Sequence, residues 1–330
     1  MRRSSALVSS LAVVAVLAAA LAGCAASPDD ASACTPLIAS GDASELVKAS
    51  GEVGSAPQVE IPAPLASPTA QRTVVEHGEG LVAITGSVVD FDASIYDGES
   101  GTQLLQTKFD GAQAVRFRAG LKTSDQQEHV GSLAKSLVCA QAGQRLVLTT
   151  TAVDSGLDLS QVGITDDDHT VVLVLDVQQV FPGKADGVNQ LPQDGLPVVV
   201  TAPDGTVGIT VPSGIQVPTK DRTETVKLGS GPKLAKDDLA VLQVAAWSWP
   251  SGDDATISQK SSTWDVGSTP STLQLTDEGD QALPAVLLDA LIGTPVGSQM
   301  LTVIAPTGDS TDATIYVIDV LGIQSAPVTK

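Results

Sequence analysis

Apolar and polar positions fall into distinct regimes along the chain. Residues 6–21 form an apolar run broken only by Ser9 and Ser10, with Arg2 and Arg3 before it and Leu21-Ala22-Gly23-Cys24 after it. A positive start, a short apolar core and a small-residue exit together read as an export signal over residues 1–23. The run is shorter than the ~20 residues a bilayer-spanning helix needs. Residues 24–55 are rich in Ala, Ser, Gly and Asp and read as a tether that becomes ordered near Cys34. Beyond them, short β-branched runs are bounded by Gly, Pro, Asp and Ser, the pattern of strands. Residues 198–211 read as a hairpin around Pro203-Asp204-Gly205-Thr206, with Asp-Gly as the turn signal. Two stretches carry a helical stripe. One is 283–291, ended by Gly293. The other is about 125–139, with Val130, Leu133, Leu137 and Val138 on one face. The expected class is therefore α+β, a mostly antiparallel twisted sheet packed on one short helix in each unit.

The unit occurs twice. Pro57-Gln58-Val59-Glu60-Ile61-Pro62 is echoed by Val207-Gly208-Ile209-Thr210-Val211-Pro212, at an offset of 150 between Pro62 and Pro212. Arg72 to Gly80 is echoed by Thr225 to Gly231, with an offset of 151 at the glycines. Val88-Val89-Asp90-Phe91 aligns with Val241-Leu242-Gln243-Val244, and Gly143-Gln144-Arg145 with Gly297-Ser298-Gln299. Thr170 to Val177 aligns with Ala313 to Val320. Such a period is a domain duplication, far too long for a solenoid. The boundaries expected are a first domain over 56–182, a linker with hairpin over 183–211, a second domain over 212–324 and a tail over 325–330.

Charge and cysteines narrow the function. Removal of residues 1–23 leaves 307 residues with a formal charge near −22. Phosphate binding needs a basic surface, so no nucleic-acid partner is expected. The Cys24 segment resembles the bacterial lipobox, in which the cysteine is acylated, so a lipid anchor in the membrane is expected there. Several acyl chains anchor stably, at ~0.8 kcal/mol per buried CH2. Cys34 and Cys139 then remain as an even pair in an oxidising compartment. A disulfide between them is the expectation, with two free thiols as the alternative. No CxxC occurs, and His77, His129 and His169 lie far apart in sequence. Asp166-Asp167-Asp168-His169 reads as a solvated acidic loop. No metal and no cofactor are expected.

The order of elements carries a resemblance. A strand with a Gly-x-Gly turn is followed by strands, one short helix ending in Leu291-Ile292-Gly293, the run Gly297-Ser298-Gln299-Met300-Leu301-Thr302-Val303-Ile304-Ala305-Pro306 and a last strand from Tyr316 to Ile323. This resembles the FKBP-type peptidylprolyl isomerase domain, over about residues 34–324. The tandem, lipid-anchored form resembles envelope lipoproteins of high-GC Gram-positive bacteria. The resemblance implies a membrane-anchored, extracytoplasmic isomerase on the outer face of the cell membrane. Its partners would be exported polypeptides with proline-containing segments.

It also implies where a proline pocket would lie. Phe91 stands at the family's first-strand tyrosine in the first copy, and Val244 in the second. Leu104 and Leu105 stand at the family's Phe-Asp pair, with Gln259 and Lys260 in the second copy. Leu283 and Pro284 keep part of the helix-start motif, without its tryptophan. With Trp264 and Tyr316 these form the candidate proline pocket: Phe91, Leu104, Trp264, Leu283, Pro284 and Tyr316. Trp247 and Trp249 read as an outward or linker-packed pair. For Trp264, pocket rim and core packing stay open. The degenerate pocket implies weak isomerase activity, residing in the second copy rather than the first. The alternative is an inactive FKBP-like module for binding or scaffolding. A solute-binding lipoprotein fits poorly, since it needs longer α/β lobes with many helices.

Overall fold

The computed structural model describes residues 34–111, 114–252, 256–278, 283–308 and 310–325. The export signal, Cys24 and the start of the tether lie outside these residues. The first half contains α1 (Asp42–Leu46), β1 (Lys48–Ser50), β2 (Gln58–Glu60), β3 (Gln71–Glu76), β4 (Val88–Asp97), β5 (Gln103–Gln106), β6 (Val115–Arg118), α2 (Ser132–Ser136), β7 (Arg145–Thr151), α3 (Ala152–Ser155) and β8 (Thr170–Phe181). The second contains β9 (Val188–Asn189), β10 (Val198–Thr201), β11 (Val207–Thr210), β12 (Arg222–Leu228), β13 (Leu239–Trp249), β14 (Ser258–Ser262), β15 (Ser271–Gln274), α4 (Ala285–Leu291), β16 (Gln299–Ile304) and β17 (Ala313–Ile323).

These strands form four sheets. A six-stranded sheet runs β3-β7-β8-β4-β5, with β6 also on β4, and a seven-stranded sheet runs β9-β12-β16-β17-β13-β14, with β15 also on β13. The other two are the hairpins β1–β2 and β10–β11. Every pairing is antiparallel.

The α+β expectation, a sheet on one short helix in each unit, is corrected. Among the described residues, 38% lie in strands against 9% in helices. Among the described residues the α-helices span only four to seven residues, and three of the four lie in the first half. The stripe read over 125–139 yields only α2. Before Gly131 the sequence is nearly all polar, leaving little apolar surface to hold a helix, and isolated short helices are marginal in water. Gln127 fixes that stretch as turns instead: its Oε1 accepts the Thr123 N–H (2.9 Å) and its Nε2 donates to the Gly156 carbonyl (2.9 Å).

What covers each sheet follows from strand alternation. Odd positions of β4 such as Val89, Phe91 and Ile95 face a core completed by Leu133 and Leu137 of the α2 turn. The opposite face, with Tyr96, Val172 and Val174, is covered by Ala43 of α1 and by the β1–β2 hairpin through Ala49 and Val59. The second sheet repeats the plan. Leu242, Ile318 and Val320 face Leu287, Leu288 and Leu291 of α4. Ala245, Ile315 and Val317 face the β10–β11 hairpin. Each sheet thus carries a hairpin on one face, joined by α1 in the first half, with α2 and α3 on the other face in the first half and α4 in the second.

The halves meet in a small buried cluster of Val88, Phe181, Val241 and Leu321. Gly322 is required there, because a Cβ would overlap the Phe181 ring. Arg116 bridges the same seam. It forks onto Asp90 with two 2.6 Å bonds and donates to the Pro270 carbonyl (3.2 Å) and to Thr272 Oγ1 (2.7 Å).

Candidate functional site

An apolar cavity of about 280 Å³ opens between the β4–β5–β6 end of the first sheet and the α2 turn. Phe91 is its floor, buried to 1% exposure, and Phe117 from β6 meets it edge-on with ring centroids 5.6 Å apart. Leu133, Leu157 and Leu173 close the inner wall, and the half-exposed Leu105 forms the rim. The space exists because small Ala93 separates Phe91 from Ile95 on the same face of β4.

No titratable side chain lines this cavity. The carboxylates of β4 alternate with Phe91 and are engaged elsewhere. Asp90 is held by Arg116. Asp92 accepts Thr107 Oγ1 (2.6 Å) and Gln178 Nε2 (3.0 Å), and burial pushes its carboxyl up. The arrangement can bind and desolvate an apolar ring, and offers no proton-transfer group.

The proposed pocket residues do not come together. Phe91 lines the cavity, and Leu104 packs against the core beneath it, while its neighbour Leu105 is the residue that lines the cavity. In the second half, Trp264 lies in the core under the β10–β11 hairpin with Trp247 and Trp249. Leu283 and Tyr316 pack in the core on the opposite face with α4. Pro284 is exposed at the start of α4. Trp264 is therefore core packing, and Trp247 and Trp249 are buried against the hairpin of the 183–211 linker, the linker-packed alternative rather than the outward one. Phe117, Leu133 and Leu157 were missed as lining residues. The alternation in Val115-Arg116-Phe117-Arg118 was the signal for Phe117.

The pairing registers also revise the alignment of the copies. Phe91 pairs with Val177 and Leu242 with Val320, each just after a bulge. Leu242, not Val244, is thus the counterpart of Phe91. By the same register Phe117 on Val89 corresponds to Leu273 on Ala240. Both aromatic positions of the first-half cavity are leucine in the second half.

Cys34 and Cys139 are joined by a disulfide, with Cα atoms 5.7 Å apart. It ties the segment before α1 to the end of the α2 turn, beside the cavity's core. Among the described residues no group of three or more His, Cys, Asp or Glu is placed to hold a metal ion. Among them, too, no helix is long and apolar enough to cross a membrane.

No family model matches the chain, and no curated protein matches it. Several solved structures do. The three FKBP domains of wheat FKBP73 align at 13% identity and a TM-score of 0.31, covering 77% of this chain and 94% of that one. A multi-domain immunophilin from Arabidopsis thaliana aligns at 12% and 0.30, over 42% of this chain and 50% of that one. The N-terminal domain of FKBP42 from Arabidopsis thaliana aligns at 14% and 0.29, over 39% of this chain and 98% of that one. Solved structures similar to this chain thus include FKBP-domain and immunophilin proteins.

Proposed function

We propose that this protein is held on the outer face of the cell membrane by a lipid on Cys24 and binds proline-containing segments of exported polypeptides in its first-half cavity, isomerising X-Pro bonds weakly. The observation that carries the reading is the largely apolar cavity walled by Phe91 and Phe117. An X-Pro bond rotates over a barrier of ~20 kcal/mol because the planar amide is conjugated. The twisted form has lost that conjugation, and water stabilises it less than it stabilises the planar form. A desolvating aromatic pocket favours it, without any proton transfer. At about 280 Å³ the cavity lies just below the ~300–1,000 Å³ range of drug-sized sites, a size suited to one small ring.

This reading puts the activity in the first half, against the sequence expectation of the second copy, because leucine stands at both aromatic positions in the second sheet. Weak catalysis follows from what is missing. Leu105 occupies the rim where the resemblance calls for a carboxylate. That position also favours a second reading, a module that binds prolyl segments without turning them over.

The test is a prolyl-peptide isomerisation assay on the full chain, run beside a binding titration with the same peptide. Phe117→Ala should lower kcat/KM by about two- to tenfold, since an aromatic contact contributes about 0.5–1.5 kcal/mol. Trp264→Phe should change nothing. Binding without acceleration would establish the second reading, and neither binding nor acceleration would sink both. For the anchor, Cys24→Ser should move the chain from the membrane fraction to the soluble one.

A further inference from the structure

We propose that the second half carries a binding site for a guanidinium group, in a cavity of about 590 Å³ between the sheet and the β10–β11 hairpin turn. The site is independent of the prolyl cavity.

The two sheets pair strand for strand, but at one position their chemistry differs. Arg145 on β7 pairs with Asp176, and Gln299 on β16 pairs with Asp319. Arg145 is fully buried and forks onto Asp176 with two 2.6 Å bonds. Its remaining N–H groups reach the carbonyls of Gly51 (2.9 Å), Glu52 (3.1 Å) and Ser55 (3.3 Å) in the β1–β2 loop. The guanidinium thereby fills the space between the sheet and its covering hairpin.

Glutamine cannot do this. Gln299 is fully buried, and its Nε2 donates to Asp319 Oδ1 (2.7 Å). Its Oε1 has no hydrogen-bond partner among the described residues. A buried acceptor without a donor is costly, so this atom calls for one. Gln299 lines the cavity with Glu224, Lys227, Lys184, Val199 and Pro203 of the hairpin turn. The register jump between Thr225 and Lys227 sets Glu224 and Lys227 on the same face of β12 as Gln299. Glu224 is 5% exposed and accepts the Gln193 N–H (3.2 Å).

The lysines are engaged on backbone. Lys184 donates to the Pro203 carbonyl (2.6 Å) and Lys227 to the Ala185 carbonyl (3.3 Å). Burial pushes the carboxyls of Glu224 and Asp319 up, and a cation placed beside Glu224 would offset that cost. A guanidinium supplies a fixed charge and five N–H donors in one plane, so it can serve Gln299 Oε1 and the Glu224 carboxylate together. An arginine side chain is the natural carrier, and the chain's net charge of −20 draws such cations in.

The test is calorimetric and NMR titration of the full chain with N-acetylarginine amide and with its neutral isostere, N-acetylcitrulline amide. The arginine compound should bind, shifting the Gln299 side-chain amide signal, with the citrulline compound about tenfold weaker or worse. Gln299→Arg provides the guanidinium from within and should abolish binding. Glu224→Gln should weaken binding about tenfold while leaving the folded spectrum intact. Equal binding of the two compounds, no binding to the native chain, or unchanged affinity in folded Gln299→Arg or Glu224→Gln overturns the proposal.

Discussion

Arg145 and Asp176 are buried at 0% and 1% side-chain exposure, and each depends on the other. Asp176 also accepts the Gly54 N–H (2.7 Å), so the pair fastens the β1–β2 loop to the sheet as well as neutralising itself. Removing one partner strands a buried charge. Asp176→Ala should therefore cost about 3–5 kcal/mol in urea unfolding. Asp319→Ala breaks hydrogen bonds to the Gln299 amide and the Ala185 N–H and strands no facing guanidinium. It should cost less, about 1–3 kcal/mol. Equal losses at the two positions would show that the arginine charge is not what makes the first pair demanding. The contrast is visible in sequence as Arg145 against Gln299. Its meaning is not, because burial and the reach of each side chain toward a hairpin loop belong to the folded state.

Among the elements, the strands and turns were legible and the longer helix was not. The β10–β11 hairpin turns at Pro203-Asp204-Gly205-Thr206, where Gly205 has φ of 93°, a conformation that disfavours other residues. α4 begins just after Pro284, a residue suited to opening a helix, and Gly293 follows its end at φ of 83°. The 125–139 stripe failed because a sparse apolar pattern without packing does not sustain a helix. The helix side of the first half is held by other means. Gly131 and Gly156 let α2 and α3 approach so closely that a Cβ on Gly131 would meet Gly156 Cα at 2.6 Å. The Cys34–Cys139 bridge closes a loop of 105 residues around α1, the first six strands and α2. In the chain-entropy model a loop of that size stabilises by ~4–5 kcal/mol, an upper figure. The Cys34→Ser/Cys139→Ser chain should lower the urea midpoint accordingly, and an unchanged midpoint would show that the bridge leaves stability untouched.

At the scale of the molecule, the seam between the halves is small and specific. Phe181, the last residue of β8, packs against Leu321 and Val241, and the Arg116 guanidinium lies 5.8 Å from its ring centre. Asp90, at 4% side-chain exposure, depends on Arg116 for its charge partner. Arg116→Met should destabilise the first half by about 3–5 kcal/mol and separate its unfolding from that of the second half in calorimetry. A single undivided transition at the native temperature would show that Arg116 carries neither that stability nor the coupling. Sequence alone determined the repeat of about 150 residues, the strand-rich character, the turns and, of the two helices read, the one over 283–291, which forms as Ala285–Leu291. Each of these depends on neighbours a few positions away, or on the chain's likeness to itself. Tertiary structure alone decided which faces those strands present. Trp264 and Tyr316 were read into one pocket, yet they lie on opposite sides of the second sheet. The matching bulges in β4 and β13 pairing shift the register that decides the counterpart of Phe91. A side chain's face in a strand changes with each single-residue shift, so a pocket drawn from several strands depends on bulges and pairings that no local pattern records.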